Sequence, residues 1–267
     1  MIIKIDNKNV EIGGEAGKFA FAVKNFTTGE TFFYNEAEKF HSASMIKLPI
    51  LSFLYLEAEN GNVDLEAKYE LKKEDVVEGG IIPEFHLGSV FTLRDLANIM
   101  IVVSDNTATN ILIDFLGFEK INRHIKEYLG MEKTELMKKL MIPAKSPDIF
   151  NYTCAEDILH FFELLYFGKL VSKRASKEML ETLSRQMFIE KIPRFLSDCA
   201  FTANKTGEVS GTRHDGAIVK TDDFDFGICV LTSESDDVNK ADDFISYLSR
   251  YFFDLFSQKE WLFKYRK

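Results

Sequence analysis

The sequence predicts an α+β fold, in which one antiparallel sheet of about five strands is flanked by helices. Alternating apolar and polar residues occur near the start of the chain and again after residue 200, as strands require. The stretch between them carries apolar runs at helical spacing. Hydrophobic residues make up 46% of the 267 residues, enough to bury a large core. No linker is visible, so residues 1–267 are predicted to form a single domain.

Two strands are predicted near the N-terminus and three near the C-terminus. The segment GKFAFAVKNFTTGETFFYN, residues 17–35, alternates on both sides of a turn at 27–29. The opening MIIKIDNKNVEI predicts a strand or coil. Together these segments predict a sheet part of the domain at about 1–40 and 200–267. The three later strands are predicted at 201–206, 212–221 and 226–232.

The intervening part, about residues 44–195, is predicted to be helical. The first helix runs from Ser44 to about Gly61. The second follows a weak capping box formed by Thr92 and Asp95, and the third is closed by Gly117. Further helices are predicted at 155–167 and 174–188. The final segment ADDFISYLSRYFFDLFS predicts an amphipathic helix, with its apolar face formed by Phe244, Leu248, Tyr251, Phe252 and Leu255.

The charge balance excludes some classes of function. The net charge is −9 and the isoelectric point is about 5.2, which argues against a nucleic-acid binder and against adsorption to an anionic membrane. An anionic substrate remains compatible, because a local pair of cations can outweigh a global deficit. No run of about 18 apolar residues predicts a membrane span. With no secretory signal at its start, the chain is expected to be cytoplasmic, or extracytoplasmic if a leader was removed.

The three cysteines, Cys154, Cys199 and Cys229, do not form a pattern typical of disulfide frameworks or metal knuckles. We expect three reduced and largely buried thiols. The sequence predicts neither a metal site nor a cofactor, and it carries no signal for the oligomeric state.

The motif Ser44-Met45-Ile46-Lys47 is a candidate nucleophile with its base. Residues i and i+3 share one helix face, so both side chains point the same way. A serine hydroxyl attacks only when a base takes its proton, and a lysine serves as base only if its pKa is lowered. The apolar neighbours would supply that lowering by desolvation. Taken alone, however, the motif is more often a helix-capping serine followed by a solvated lysine.

Two further motifs carry the same ambiguity. Ser104-Asp105-Asn106 lies between two apolar helical runs and could simply break and cap the helices. Its functional interpretation has Ser104 relaying a proton, Asn106 donating an amide to the substrate, and Asp105 holding the turn. Lys205-Thr206-Gly207 is predicted to end a strand, where the lysine and hydroxyl could bind a carboxylate and Gly207 would let the substrate approach.

In this order, the three motifs resemble those of class A β-lactamases and penicillin-binding proteins, the serine acyl-enzymes. Three longer segments are similar as well: TGETFFYNEAEKFHSASMIKLPIL, TLRDLANIMIVVSDNTATNILIDFLG and GTRHDGAIV. The resemblance covers most of residues 18–256. It implies a β-lactamase-like fold whose helical subdomain carries the nucleophile and the Ser-Asp-Asn motif.

The resemblance also implies a role for each matching residue. Ser44 attacks an amide carbonyl, Lys47 accepts its proton directly or through water, and Ser104 passes a proton to the leaving nitrogen. The oxyanion hole is formed by the backbone N–H groups of Ser44 and Glu208. The remaining matches are Asn106 for the substrate's side-chain amide, Lys205, Thr206 and Arg213 for its carboxylate, and Asp105, Asn110 and Gly207 as structural residues near the site.

One expected motif is missing. Class A β-lactamases carry E-x-x-L-N on an omega-shaped loop, where the glutamate activates the water that hydrolyses the acyl-enzyme. Here the segment TELMKKLM puts Leu140 at that place. Glu132, Glu135 and Asp148 lie nearby but do not fit the register. General-base help is worth roughly 10²–10⁴-fold, so deacylation is predicted to be slow.

Three functions stay open at this point. The leading hypothesis is a class A β-lactamase-like serine hydrolase that is acylated by β-lactams or related amides and esters. The alternatives are a D-alanyl-D-alanine peptidase that uses the same residues, and a β-lactam-binding sensor without turnover. Each predicts a small, carboxylate-bearing β-lactam or peptide as the partner.

Overall fold

The computed structural model describes residues 2–5, 8–11, 17–144, 146 and 149–264. The strands within these residues are β1 Ile2–Ile5, β2 Lys8–Glu11, β3 Lys18–Asn25, β4 Thr31–Tyr34, β5 Phe40–His41, β6 Lys68–Glu70, β7 Val90–Thr92, β8 Tyr152–Thr153, β9 Phe201–Val209, β10 Thr212–Lys220 and β11 Asp225–Ser233. The α-helices are α1 Lys47–Glu59, α2 Leu93–Val102, α3 Asn106–Leu116, α4 Phe118–Arg123, α5 Ala155–Tyr166, α6 Lys173–Leu183 and α7 Val238–Lys264. A π-helical turn, His124–Tyr128, continues α4.

The main sheet has five antiparallel strands in the order β4-β3-β11-β10-β9. The prediction of one antiparallel sheet of about five strands flanked by helices is therefore confirmed. The strands β1 and β2 pair only with each other, so the main sheet begins at Lys18 rather than near residue 1. The strand β9 forms one edge, and every second backbone N–H along it has no neighbouring strand to face.

The sheet separates two hydrophobic cores. Along β3, Phe19, Phe21 and Val23 face the core shared with α7, whereas Ala20 and Ala22 face the helical subdomain. This alternation is the period-2 pattern that predicted the strand. Large side chains on one face and small ones on the other let a single helix cover the first face while several helices approach the second.

The last helix is amphipathic, as predicted. Phe244, Leu248 and Phe252 of α7 are fully buried against the sheet, and Phe252 stacks edge-on against Phe21. Of the helices in the described part of the chain, none has the length and apolar character needed to cross a membrane.

Three predicted boundaries differ from the structure. The helix α1 starts at Lys47 after a 3₁₀ turn, Ala43–Ile46, rather than at Ser44. The strand β9 continues to Val209, so the Lys-Thr-Gly motif lies inside the strand instead of ending it. The helix α6 ends at Leu183, not at 188. The chain after α6 bonds to α2, where the Gln186 amide donates to the Ile101 carbonyl, and this pairing replaces further helical turns.

The cysteine prediction holds for two of the three thiols. Cys154 and Cys229 are buried, but Cys199 is exposed. Cys199 lies in the turn that precedes β9, outside both cores, so the expectation of burial was wrong for this residue.

A close contact between α5 and the centre of the sheet gives a stability prediction. A methyl group added at Gly216 would lie 2.8 Å from Cε2 of Phe162 and 2.9 Å from Cγ2 of Ile158. We therefore expect Gly216→Ala to lower the free energy of unfolding by about 1–3 kcal/mol, measured by urea denaturation. The double variant Gly216→Ala/Phe162→Leu should lose less unfolding free energy than the sum of the losses in the two single variants, because the smaller side chain relieves the clash. Strict additivity would contradict this contact.

Candidate active site

The Ser44 turn is held in an unusual backbone conformation. Ala43 has φ of +45°, which costs a non-glycine residue about 1–2 kcal/mol. The Ala43 N–H donates to Nδ1 of His41 at 2.8 Å, and the neighbouring Met45 and Ile46 are fully buried. These contacts fix the turn so that Ser44 lines a cleft of about 360 Å³. A serine on a constrained turn at a cleft is suited to act as a nucleophile.

Lys47 is fully buried. Its ammonium group donates to the Ser104 carbonyl at 2.5 Å, to the Ser104 hydroxyl at 3.1 Å and to Oδ1 of Asn106 at 2.9 Å. The first two motifs are therefore in direct contact. The alternative of a solvated surface lysine is excluded.

The environment of Lys47 favours its neutral form. Burial lowers the pKa of the ammonium well below its usual value, and the nearby charge of Lys205 lowers it further, while Asp105 acts in the opposite direction. A lysine with a lowered pKa more often has the free electron pair that a general base needs. This is the pKa shift that the apolar neighbours of the motif led us to expect.

Ser104 connects the two lysines. Its hydroxyl lies 3.1 Å from Nζ of Lys47 and 3.0 Å from Nζ of Lys205. Its backbone has φ of +55°, which turns the residue out of the helical path between α2 and α3. The third motif is thus joined to the other two through one hydroxyl group, and a proton could pass along Lys47, Ser104 and Lys205 without crossing bulk water.

Asp105 holds the turn through backbone bonds, as predicted. It caps α3 by accepting from Ala108 N at 2.7 Å, and its other oxygen accepts from the N–H groups of Ile81 and Ile82 at 2.7 and 2.8 Å. Beside it, Asn106 accepts from Lys47 and donates from Nδ2 to the Glu78 carbonyl at 2.9 Å.

Lys205 is buried in the middle of β9 and faces the helical subdomain. It donates to the Ser104 hydroxyl and to the Thr206 carbonyl at 2.7 Å. Burial lowers the pKa of Lys205 to about 7, with a further lowering by Lys191 that Asp215 and Glu208 oppose. This lysine is therefore partly charged at neutral pH.

The Glu208 N–H points to the open edge of β9. The Arg213 backbone faces β11, because its N–H donates to Oγ1 of Thr232 at 3.1 Å. Arg213 pairs with Glu208 on β9, so this pair exchanges no hydrogen bonds and the Glu208 N–H faces away from β10. Gly207 lets the Ser44 turn approach: a Cβ there would lie 3.2 Å from Ser44 N. The backbone nitrogen of Ser44 therefore lies against β9 next to Glu208, and the oxyanion role of the two N–H groups stays a prediction.

Thr206, Glu208 and Arg213 lie on the opposite face of the sheet from Lys205, because side chains alternate along a strand. The Arg213 guanidinium donates to the carbonyls of Val209 at 3.2 Å and Thr212 at 2.8 Å. The structure gives Gly207 a packing role against the Ser44 turn, in addition to the substrate approach predicted for it. The carboxylate-binding roles of Thr206 and Arg213 stay predictions.

Lys191 was not among the residues predicted from the sequence. This lysine is fully buried, and its ammonium contacts Glu208 at 2.5 Å, Glu190 at 3.2 Å and Asp242 at 3.6 Å. Its local sequence, FIEKIPRF, is typical of a surface turn. Only the distant carboxylates on β9 and α7 explain the burial, so no local signal could have found it.

The loop opposite β9 places Leu140 in the Ser44 cleft. Asn110 donates to the Leu140 carbonyl at 2.9 Å and accepts from the Leu140 N–H at 2.8 Å. Glu132 lines a different cleft next to β3, and Glu135 pairs its backbone with Tyr152. Asp148 lies outside the described residues. Among the described residues lining the Ser44 cleft, Glu208 is the only carboxylate.

The side chains described here do not include a group of three or more His, Cys, Asp or Glu that could hold a metal ion.

Comparisons with known proteins agree with this architecture. A structure of a β-lactamase from Sphaerobacter thermophilus superposes with a TM-score of 0.83 at 28% identity, covering 88% of this chain and 89% of that one. A structure of PBP-A superposes equally well at 24% identity, covering 90% of both chains. A variant of PBP-A, captured as an acyl-enzyme with penicillin G, has a TM-score of 0.81.

Sequence relatives point the same way. The β-lactamase CARB-3 of Pseudomonas aeruginosa is 27% identical over 179 residues, which is 66% of this chain and 62% of that protein. The β-lactamase Toho-1 of Escherichia coli is 28% identical over 137 residues, 49% of this chain and 47% of its own length. The alignments thus span less than two thirds of these relatives. The sequence model of the family described as "Beta-lactamase enzyme family" matches residues 5–256, and the chain belongs to this family.

Proposed function

We propose that this protein is a serine hydrolase that forms an acyl-enzyme at Ser44 with β-lactams or related amides and esters, and that releases the product slowly. The observation that supports this most directly is the buried chain of contacts from Lys47 through Ser104 to Lys205. It supplies a base, a proton carrier and a cation beside the candidate nucleophile.

Acylation follows from the order of these groups. The Ser44 oxygen forms a bond to the carbonyl carbon, its proton moves to neutral Lys47, and the carbonyl oxygen becomes an oxyanion facing the Ser44 and Glu208 N–H groups. When the carbonyl C–N bond breaks, the Lys47 proton passes to Ser104 and the Ser104 hydroxyl proton to the leaving nitrogen. One removed oxyanion donor typically costs about 10²–10³-fold in rate, so the backbone donors matter as much as the base.

Deacylation needs a second base that faces water, and Leu140 cannot supply it. Its apolar side chain lines the cleft at the loop position fixed by Asn110. Without that base the acyl-enzyme is expected to persist, so labelling should be fast and turnover slow.

A D-alanyl-D-alanine peptidase is the second candidate, and the absent loop base also favours it. Release of D-alanine from a D-alanyl-D-alanine peptide, with turnover, would support the peptidase. A stoichiometric β-lactam adduct with no peptide cleavage and no turnover would favour the sensor. Time-resolved mass spectrometry of the adduct separates the candidates, because it measures the lifetime directly.

The first prediction concerns the nucleophile. Incubation with benzylpenicillin should add the mass of one intact penicillin to the wild-type protein, measured by intact-protein mass spectrometry. The variant Ser44→Ala should show no adduct, because the attacking oxygen is gone. Ser210→Ala, which changes an exposed serine in the β9–β10 turn, should label like the wild type. An adduct on Ser44→Ala would assign the chemistry to another residue.

The second prediction concerns pH. The pKa of Lys205 is lowered to about 7, so Lys205 loses its charge as the pH rises through that value. The second-order acylation rate constant for a carboxylate-bearing penicillin should therefore decline as the pH rises above about 7. Rapid-quench labelling between about pH 6 and about pH 9 measures this decline. A rate that keeps rising to the alkaline end would remove the charged form of Lys205 from the mechanism.

The third prediction concerns Leu140. The variant Leu140→Glu places a carboxylate at the cleft without altering the backbone bonds to Asn110, so deacylation should accelerate by on the order of 10²-fold. The decay of the mass adduct reports the rate. Leu140→Gln has nearly the same shape but lacks the base, and its adduct should decay as slowly as that of the wild type. Equal acceleration by both variants would mean that polarity, and not proton abstraction, limits release.

A further inference from the structure

Glu208 lines the Ser44 cleft, and 43% of its side chain is exposed. Its Oε1 contacts the ammonium of Lys191 at 2.5 Å. The backbone N–H of the same residue points to the free edge of β9, where the carbonyl oxygen of a substrate is expected.

The cations on this face of the sheet already have partners. Lys191 contacts the carboxylates of Glu208, Glu190 and Asp242. Nε of Arg213 lies 3.6 Å from Oδ1 of Asp242, and its Nη1 donates to two backbone carbonyls. Both cations are therefore paired with carboxylates. The sequence allowed an anionic substrate only if a local pair of cations outweighed the negative net charge, and these two cations do not supply that excess.

The charge of this group of side chains is negative. Glu190, Glu208 and Asp242 outnumber Lys191 and Arg213. Asp215, the partner of Thr206 on β10, adds only a partial negative charge at neutral pH, because burial raises its pKa to about 7.

The ion pair at the centre of this group persists at neutral pH. Burial would raise the pKa of Glu208, but the hydrogen bond and charge of Lys191 lower it below its usual value. Burial would lower the pKa of Lys191, but Glu208 and the neighbouring carboxylates raise it. Both groups remain charged, and Glu208 brings the carboxylate of this ion pair to the lining of the cleft, which also includes Lys138 and Lys139.

We infer that Glu208 determines the substrate class of this site, by favouring acyl donors whose leaving-group end is neutral or cationic over those that carry a carboxylate there. The inference rests on the proposed acyl-enzyme function. It also departs from the carboxylate-bearing partner that the sequence led us to expect.

The geometry explains the preference. The leaving nitrogen is expected at Ser104, whose hydroxyl accepts from Lys205, and the Lys205 ammonium also donates to the backbone carbonyl of Thr206. Thr206 and Glu208 are two residues apart on one strand face, about 7 Å between equivalent atoms. A substrate carboxylate placed at the Thr206 hydroxyl would lie within that distance of the Glu208 carboxylate, in a partly exposed site where like charges repel appreciably.

The test compares a matched pair of substrates, benzylpenicillin and its methyl ester, which differ only in the charge of the leaving-group end. The rate constant of Ser44 acylation is measured by mass spectrometry for the wild type and for Glu208→Gln. The Gln side chain keeps the shape and the backbone N–H. We expect the ratio of acid to ester rates to rise about 3- to 10-fold in the variant. The change should appear in the apparent binding constant rather than in the limiting acylation rate.

A matched control is available on α5. The Lys24–Glu163 pair also has a 2.5 Å contact and a partly exposed carboxylate, but it lies outside the Ser44 cleft. Glu163→Gln should leave the acid-to-ester ratio at the wild-type value. Added salt should speed acylation of the wild type by the acid more than by the ester, because it screens the repulsion. Thermal unfolding of each variant verifies folding, and Lys191 keeps two carboxylate partners in Glu208→Gln.

The outcomes separate this inference from the proposed function. If both substrates acylate Ser44 but Glu208→Gln leaves their ratio unchanged, the charge effect of Glu208 is overturned and the acyl-enzyme function stands. If neither substrate labels Ser44 in any variant, the acyl-enzyme function fails and the inference fails with it. An unfolded Glu208→Gln would be replaced by Glu208→Thr, for which the same rise in ratio is expected.

Discussion

The burial of the Lys47 ammonium is the constraint on which the rest of the site depends. A buried charge is costly unless it is hydrogen-bonded, and Lys47 satisfies its donors only through Ser104 and Asn106. The turn between α2 and α3 must therefore lie against the start of α1. Asp105 fixes that turn through three backbone donors, which shows why an acidic residue occupies a fully buried position there.

The second lysine makes this arrangement tighter. Lys205 approaches the same Ser104 hydroxyl from β9, and its charge adds to the lowering of the Lys47 pKa that burial causes. Two like charges can share a hydroxyl only when one of them readily gives up its proton. The sheet and the helical subdomain thus meet at two lysines whose proton affinities differ. Acid–base chemistry requires such a difference.

Much of the fold and of the candidate site could be predicted from the sequence, for physical reasons. The sheet was predictable because its strands alternate in burial, as Phe19 to Val23 show. The Ser-Asp-Asn turn was predictable because a polar tripeptide between apolar helices must satisfy its own backbone. The full length of β9 was not, because Gly207 is a poor strand former and the strand continues only through pairing with β10.

Other features depend on contacts that no local pattern encodes. Lys191 is followed by a proline turn and has the sequence of a surface residue, yet carboxylates from β9 and α7 surround it. The direction of the Arg213 side chain could not be predicted either, since the hairpin length sets which carbonyls it reaches. The absence of a loop glutamate was visible in the sequence, whereas the cleft-facing position of Leu140 required the loop path.

The clamp between Asn110 and Leu140 has a consequence for how this protein could diversify. Both hydrogen bonds use the main chain of residue 140 and none uses its side chain. The path of the loop therefore does not depend on the side chain at position 140. Under the proposed acyl-enzyme function, a lineage could therefore change the lifetime of the intermediate by exchanging one side chain on an unchanged scaffold.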